Sequence, residues 1–274
     1  MQTIVITGAS DGIGAAAARQ LKTGGHRVVL VGRSPAKTEA LAREIDAPFH
    51  VADYARLSEV KRLAGELAAY ERIDVLANNA GGIMGPRTVT EDGFEKTFQV
   101  NHLAGFLLTR LLMDRLAASD ARVIQTSSFA ANVWGRGLDV DDLNQTRGYS
   151  PTSAYGRSKL ANILFTRELD RRHRADGIAA VAFHPGFVRS NFAEDTTFFM
   201  RWFYHTPLRY LATISPETSA RRLVALCEGA PGRDWQPGEV YLKRARMPVA
   251  FRDDGSVARA LWERSEDMVA PFLG

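Results

Sequence analysis

Short apolar runs recur at residues 2–7, 27–31, 49–52, 73–77, 122–126 and 178–183, each stopped by a polar or turn-forming cluster. Runs of this length without strict alternation read as strands buried on both faces. Between them lie stretches of helix-forming composition, such as 15–21 and 57–69. Ser34-Pro35 and Ser215-Pro-Glu217 carry the cap and first-turn residues of helix starts. The alternation predicts one α/β domain over residues 1–274, a parallel sheet with right-handed crossovers and helices on both faces. Tyr241 falls in the expected last strand. In such a sheet, ligands collect beyond the carboxyl ends of the strands.

The first strand runs without a gap into Gly8-Ala-Ser-Asp-Gly12-Ile-Gly14. A strand, a glycine-rich turn and a helix form the context in which a dinucleotide motif is credible. Gly8 permits the tight turn. Gly12 and Gly14 let the backbone approach a pyrophosphate and let the helix pack on the strand. The phosphates would meet the free N–H groups of the helix start. The spacing is Gly-x-x-x-Gly-x-Gly, which by itself is also met in ordinary strand–helix turns. No acidic residue occurs between Asp11 and Glu39 to accept adenosine ribose hydroxyls, and Arg33 stands at the end of the second strand. A guanidinium there suits a 2′-phosphate, so NADP(H) is favoured over NAD(H).

Of the seven tyrosines, only Tyr155 has a lysine, Lys159, four residues on. On a helix the two share a face. The spacing alone also fits a solvated surface pair. A phenol titrates near 10 and is a poor acid or base at neutral pH unless a nearby ammonium stabilises its phenolate. Bringing it to about 7 takes roughly 4 kcal/mol. One charge about 5 Å away at an effective dielectric of about 20 supplies roughly 3 kcal/mol. A fixed Lys159 ammonium therefore provides most of the shift, and an oxidised nicotinamide ring the remainder.

Thr7-Gly-x-x-x-Gly-Ile-Gly14, Asn78-Asn-Ala-Gly81, Asn101, Thr126-Ser-Ser128, Tyr155-x-x-x-Lys159 and Pro185-Gly186 occur in an order that resembles the short-chain dehydrogenase/reductase family over residues 2 to 192. The segment Asp142-Leu-Asn144 and the run Ser158-Lys-Leu-Ala-Asn-Ile-Leu-Phe165 are similar to its retinol-dehydrogenase-like branch. The resemblance implies a single Rossmann-type doubly wound sheet. It implies an NADP(H)-dependent interconversion of an alcohol and a carbonyl on a moderately apolar small molecule. Tyr155 would be the general acid/base, Ser128 would hold the carbonyl oxygen, and Lys159 would bind the nicotinamide ribose. Ser127 would then be structural. Asn101 would hold a water behind Lys159, or else bond its own helix backbone. Cofactor contacts are implied for Gly8, Ser10, Asp11, Gly12, Ile13 and Gly14. Further contacts are implied for Arg33, Asn79, Ala80, Gly81, Pro185, Gly186, Val188 and Ser190. Asp53 would meet the adenine, cap the following helix, or both. Asp11 departs from relatives with a basic residue in the glycine loop, so NAD(H) remains acceptable though less favoured. A non-catalytic NADP(H)-binding sensor or scaffold is the other reading, although such a binder needs no serine, tyrosine and lysine together.

The net charge of +4 is modest, and Arg171-Arg-His-Arg174 suits the carbonyl end of a helix rather than a nucleic-acid face. The one cysteine, Cys227, fits helix packing, and no metal ligation is expected. Strand one starts at the second residue and no apolar run is long enough to span a bilayer, so a cytoplasmic protein without a membrane anchor is expected. Residues 192–230 are the expected lid region. Phe198, Phe199, Trp202, Phe203, Tyr204 and Tyr210 in it also fit core packing or a membrane-facing helix. Homo-oligomers are possible, since relatives pair through helices flanking the active site.

Overall fold

The computed structural model describes residues 1–187, 214–253 and 255–274. The strands are β1 (Thr3–Thr7), β2 (Arg27–Gly32), β3 (Phe49–Val51), β4 (Val75–Asn78), β5 (Arg122–Thr126), β6 (Ala179–His184), β7 (Val240–Leu242) and β8 (Ala245–Arg246). They form one sheet in the order β3-β2-β1-β4-β5-β6-β7-β8. Every pairing is parallel except β7 with β8. Tyr241 therefore lies in β7 and not in the last strand. The chain turns back at Lys243, at φ 59°, into a two-residue edge strand too short and polar to show as an apolar run.

The helices are α1 (Gly12–Thr23), α2 (Pro35–Ile45), α3 (Leu57–Ala68), α4 (Lys96–Phe98), α5 (Ala104–Leu111), α6 (Met113–Ala117), α7 (Ala130–Trp134), α8 (Pro151–His173), α9 (Pro216–Glu228) and α10 (Ser256–Leu273). A π-helical turn, Gln99–Leu103, joins α4 to α5. Strand side chains alternate between the two helical layers, as the pleat requires. Ile4, Ile6, Val28 and Leu30 pack with Ala17, Leu21, Leu223 and Cys227 of α1 and α9. Val5, Val29 and Leu76 pack with Leu63, Leu107, Leu160 and Leu261 of α3, α5, α8 and α10. After β3 the chain crosses back to place β4 on the other side of β1. The carboxyl ends of β1 and β4 thus flank the point where strand order reverses, the position at which such sheets hold ligands.

The expected helix cap at Asp53 needs revision. Asp53 does not cap α3: its Oδ1 accepts Ala55 N–H at 3.0 Å, and the Leu57 N–H donates to Asp92 Oδ2 at 2.9 Å. Arg56 is the residue that enters α3, so Asp53 lies too far upstream to reach the free amides. Of the expected lid, residues 192–213, with Val188, Ser190 and the aromatic residues from 198 to 210, lie outside the described residues. Its described part, α9, is a core helix against α1. Among the described residues no helix is long and apolar enough to cross a membrane.

The C-terminal helix was not anticipated. Trp262 of α10 is buried, stacked on Phe165 at 5.6 Å and edge-on to Phe106 at 5.1 Å. The Arg172 guanidinium lies 4.9 Å from its ring centroid. This face of α5 and α8, which flank the site, is therefore occupied by the chain's own last helix. Trp262→Ala is expected to cost about 3–5 kcal/mol in urea unfolding, and a loss below about 1 kcal/mol would show that α10 is only loosely attached.

Candidate active site

A cavity of about 640 Å³ opens at the carboxyl ends of the central strands. Gly8, Ser10, Asp11, Gly12, Ile13, Arg33, Asp53, Asn79, Ala80, Gly81, Ser128, Tyr155, Lys159, Pro185 and Gly186 all line it. Two expected residues lie behind the wall. Gly14 is packed so closely that a Cβ would sit 2.9 Å from Ala9 Cα, so its role is to let α1 approach the strand turn. Asn101 is buried, with Oδ1 accepting Gly82 N–H at 2.8 Å and Nδ2 donating to Gly82 O and Ser158 Oγ, both at 2.9 Å. It clamps the 81–82 loop, so neither its own helix nor the cavity receives its side chain.

The turn after β4 is tied to the turn after β1 by hydroxyl and amide bonds. Thr7 Oγ1 accepts the N–H groups of Asn79 and Ala80 at 3.0 Å each and donates to Ala77 O. Asn79 Nδ2 donates to Thr7 O at 3.0 Å, and its Oδ1 accepts from Thr126 Oγ1 at 3.3 Å. The Asn79 side chain therefore cross-links β1, β4 and β5. Gly81, at φ +152°, would bring a Cβ within 2.7 Å of Asn101 Oδ1 and 3.3 Å of Lys159 Nζ.

At the other end, Asp11 caps α1 by accepting Gly12 N–H at 2.7 Å, and its second oxygen meets Lys37 Nζ at 3.1 Å. Ser34 caps α2, as the sequence led us to expect. Lys37 was missed, although it stands in the first turn of the helix begun by Ser34-Pro35 and lines the cavity with Arg33. Its ammonium offsets the Asp11 carboxylate, so the acidic residue in the glycine turn leaves this end of the cavity cationic.

Ser127 is fully buried and its hydroxyl donates to Lys159 O at 2.8 Å. Ser128, the second of the pair, lines the cavity, its Oγ accepting Ala130 N–H at 3.1 Å. Tyr155 is 7% exposed and packs with Ile83 and Ala130. Lys159 Nζ lies 5.5 Å from the Tyr155 ring centroid and donates to Thr126 O at 3.0 Å. Lys159 is only 2% exposed, and burial lowers its pKa to about 7. The sequence reading took a fixed ammonium here, and burial opposes its charged form. Desolvation disfavours the charged form before any bound group offsets it.

The remaining wall is apolar. Phe129, Val133, Trp134 and Phe187 are all exposed and all line the cavity. His184 lies between aromatic neighbours, 6.5 Å from Phe129 and 5.9 Å from Phe187 by ring centroid. Burial, then the nearby Arg222, lowers its pKa to about 4, so it is neutral near pH 7. These residues carried no motif; their only sequence signal was position directly after Ser128 and after β6. Among the described residues no cluster of His, Cys, Asp and Glu could hold a metal.

A family model described as short chain dehydrogenase matches residues 2–198. A Streptomyces sp. (strain C5) protein provisionally named daunorubicin C-13 ketoreductase is 43% identical over 96% of this chain and 91% of its own length. Human retinol dehydrogenase 13 is 38% identical over 98% of this chain and 84% of its own. A crystal structure of a Mycobacterium paratuberculosis protein without assigned function is 36% identical, with a TM-score of 0.75 over 98% of this chain and 94% of that one.

Gly81→Ala is expected to weaken NADPH binding, read by fluorescence titration, about tenfold or more, because strain and crowding both fall on the Asn101–Lys159 contact. Gly65→Ala, in α3 with open space around it, is the control and leaves affinity unchanged. Equal affinities for the two variants would contradict the assignment of the 81–82 loop to the site.

Proposed function

Because the chain belongs to the short-chain dehydrogenase/reductase family, we propose that this oxidoreductase interconverts an alcohol and a carbonyl on a moderately apolar molecule with NADP(H). The observation that carries the reading is one cavity holding Arg33 and Lys37 at one end and Ser128, Tyr155 and Lys159 at the other. The residues fit a nicotinamide dinucleotide: Gly14 permits the close helix approach, and two cations stand where an NAD-preferring site needs a carboxylate. Arg33 and Lys37 would hold a 2′-phosphate, the turns at 8–13 and 79–81 the backbone of the cofactor, and Lys159 its ribose. When bound, the reduced cofactor supplies the hydride.

The chain's own groups do the rest. Ser128 donates a hydrogen bond to the carbonyl oxygen and fixes its position, a directional and partly electrostatic contribution. Tyr155 then gives its phenolic proton to that oxygen, and takes it back in the alcohol-oxidising direction. Lys159 in its charged form stabilises the phenolate so left. Phe129, Val133, Trp134 and Phe187 present the apolar surface against which the rest of the substrate packs. The names of two relatives, a ketoreductase and a retinol dehydrogenase, agree with a carbonyl or alcohol on an apolar body.

The test is loss of NADPH absorbance with a panel of apolar aldehydes and ketones. Tyr155→Phe is expected to lower turnover about 10²- to 10⁴-fold while NADPH still binds. Arg33→Ala is expected to erode the preference for NADPH over NADH by about 10- to 100-fold, the worth of a charge-assisted contact. Equal rates for wild type and Tyr155→Phe would exclude catalysis through that phenol. Binding without turnover in the wild type would favour a sensor.

A further inference from the structure

Behind Lys159 lies a buried polar chain that the proposed reaction leaves unused. Asn162, three residues further along α8, is 2% exposed. Its Nδ2 donates to Thr126 O at 3.2 Å and to Asn101 O at 3.0 Å. The first of these carbonyls is the acceptor for Lys159 Nζ. The second lies in the π-helical turn, where the regular backbone ladder changes register. Both partners are carbonyls, so the nitrogen of the amide must face them and Oδ1 must face away. Oδ1 meets His102 Nδ1 at 3.2 Å, and His102 Nε2 meets Ser265 Oγ of α10 at 3.1 Å. The directions are then fixed: His102 Nδ1–H donates to Asn162, and the Ser265 hydroxyl donates to Nε2. Burial holds His102 neutral, with a pKa of about 4, so this tautomer persists at working pH.

Resting on the reaction proposed above, we infer that Asn162 is a positioning residue, which sets the Lys159 ammonium through their shared Thr126 carbonyl and is itself oriented by His102 and Ser265. The C-terminal helix thereby reaches the catalytic centre without touching it. An amide that takes part of the Thr126 carbonyl also limits how strongly that oxygen stabilises the lysine proton. Tyr155 flanks the ammonium on α8, His102 lies behind it, and His184, Lys96, Arg33, Lys37, Asp11 and Asp53 line the cavity in front. Both histidines stay neutral through the neutral range, so a limb there reports the Tyr155–Lys159 pair.

The experiment compares pH–rate profiles of the full-length protein, Asn162→Ala, Ser265→Ala and the double variant, with NADPH and 4-nitrobenzaldehyde or 2-acetylnaphthalene. Asn162→Ala is expected to lower kcat/KM on the order of 10- to 100-fold near neutral pH. It should also move the limb up by at least about half a pH unit, since Thr126 O is left to the lysine alone. Ser265→Ala should cost about threefold in the wild type and nothing further in Asn162→Ala, as links of one chain are not additive. Profiles that superimpose on the wild type, or costs that multiply in the double variant, overturn the inference. If Asn162→Ala fails to fold, the profile of Ser265→Ala alone decides, by a shift or its absence. If neither probe is turned over, the same comparison is read from the ultraviolet titration of Tyr155 in the NADP⁺ complex. Failure of the reaction itself is distinguishable, because Tyr155→Phe then matches the wild type while Asn162 has not been touched.

Discussion

The site depends on a lysine kept almost wholly out of water. Lys159 is 2% exposed, has a backbone carbonyl for its hydrogen-bond acceptor, and is lowered to about 7 by burial. In water the same ammonium would be charged at every physiological pH and would polarise nothing in particular. Buried, it becomes a group whose charge answers to what else occupies the cavity. In the proposed reaction a bound dinucleotide would bring hydroxyl acceptors to it, and the phenol, its ring centroid 5.5 Å away, would then gain a cationic neighbour. Under that proposal, binding and acid–base competence would be one event.

The fold supplies that burial with few devices. The reversal of strand order between β1 and β4 opens the cleft, and Thr7 and Asn79 close the two turns onto each other. Asn101, held by both backbone groups of Gly82, brings the 81–82 loop over Lys159 so tightly that only a glycine at 81 fits. Ser127 fixes the backbone of α8 at Lys159 itself. Charge at the far end is handled differently, in the open, where exposed Lys37 pairs with Asp11 and stands with Arg33 on the cavity wall. The two ends thus differ physically, and the proposed reaction would use desolvation where the proton moves and solvated charge where the phosphate is held.

Much of this was legible from residue order, for identifiable reasons. Strands 1 to 6 announce themselves because a parallel sheet buried on both faces leaves continuous apolar runs. The helix starts at Ser34 and Ser215 follow from cap chemistry, which is local. Contacts between residues nineteen or more positions apart were harder. Asp92 capping α3 in place of Asp53, Asn101 bonding Gly82, and Lys37 pairing with Asp11 are all contacts between segments that only the folded sheet brings together. The same holds for α10, whose covering of α5 and α8 left no mark in the motifs. The depth of Lys159 was not legible, because spacing places a side chain on a face but does not say how deeply that face is buried.

The central claim, that cofactor binding turns a buried lysine and a phenol into a proton donor and acceptor, is tested most directly by ultraviolet titration of Tyr155. The signal is isolated as the difference between wild type and Tyr155→Phe, with and without saturating NADP⁺. The account predicts a midpoint that falls to lower pH when NADP⁺ is bound; an identical midpoint in both states would contradict it.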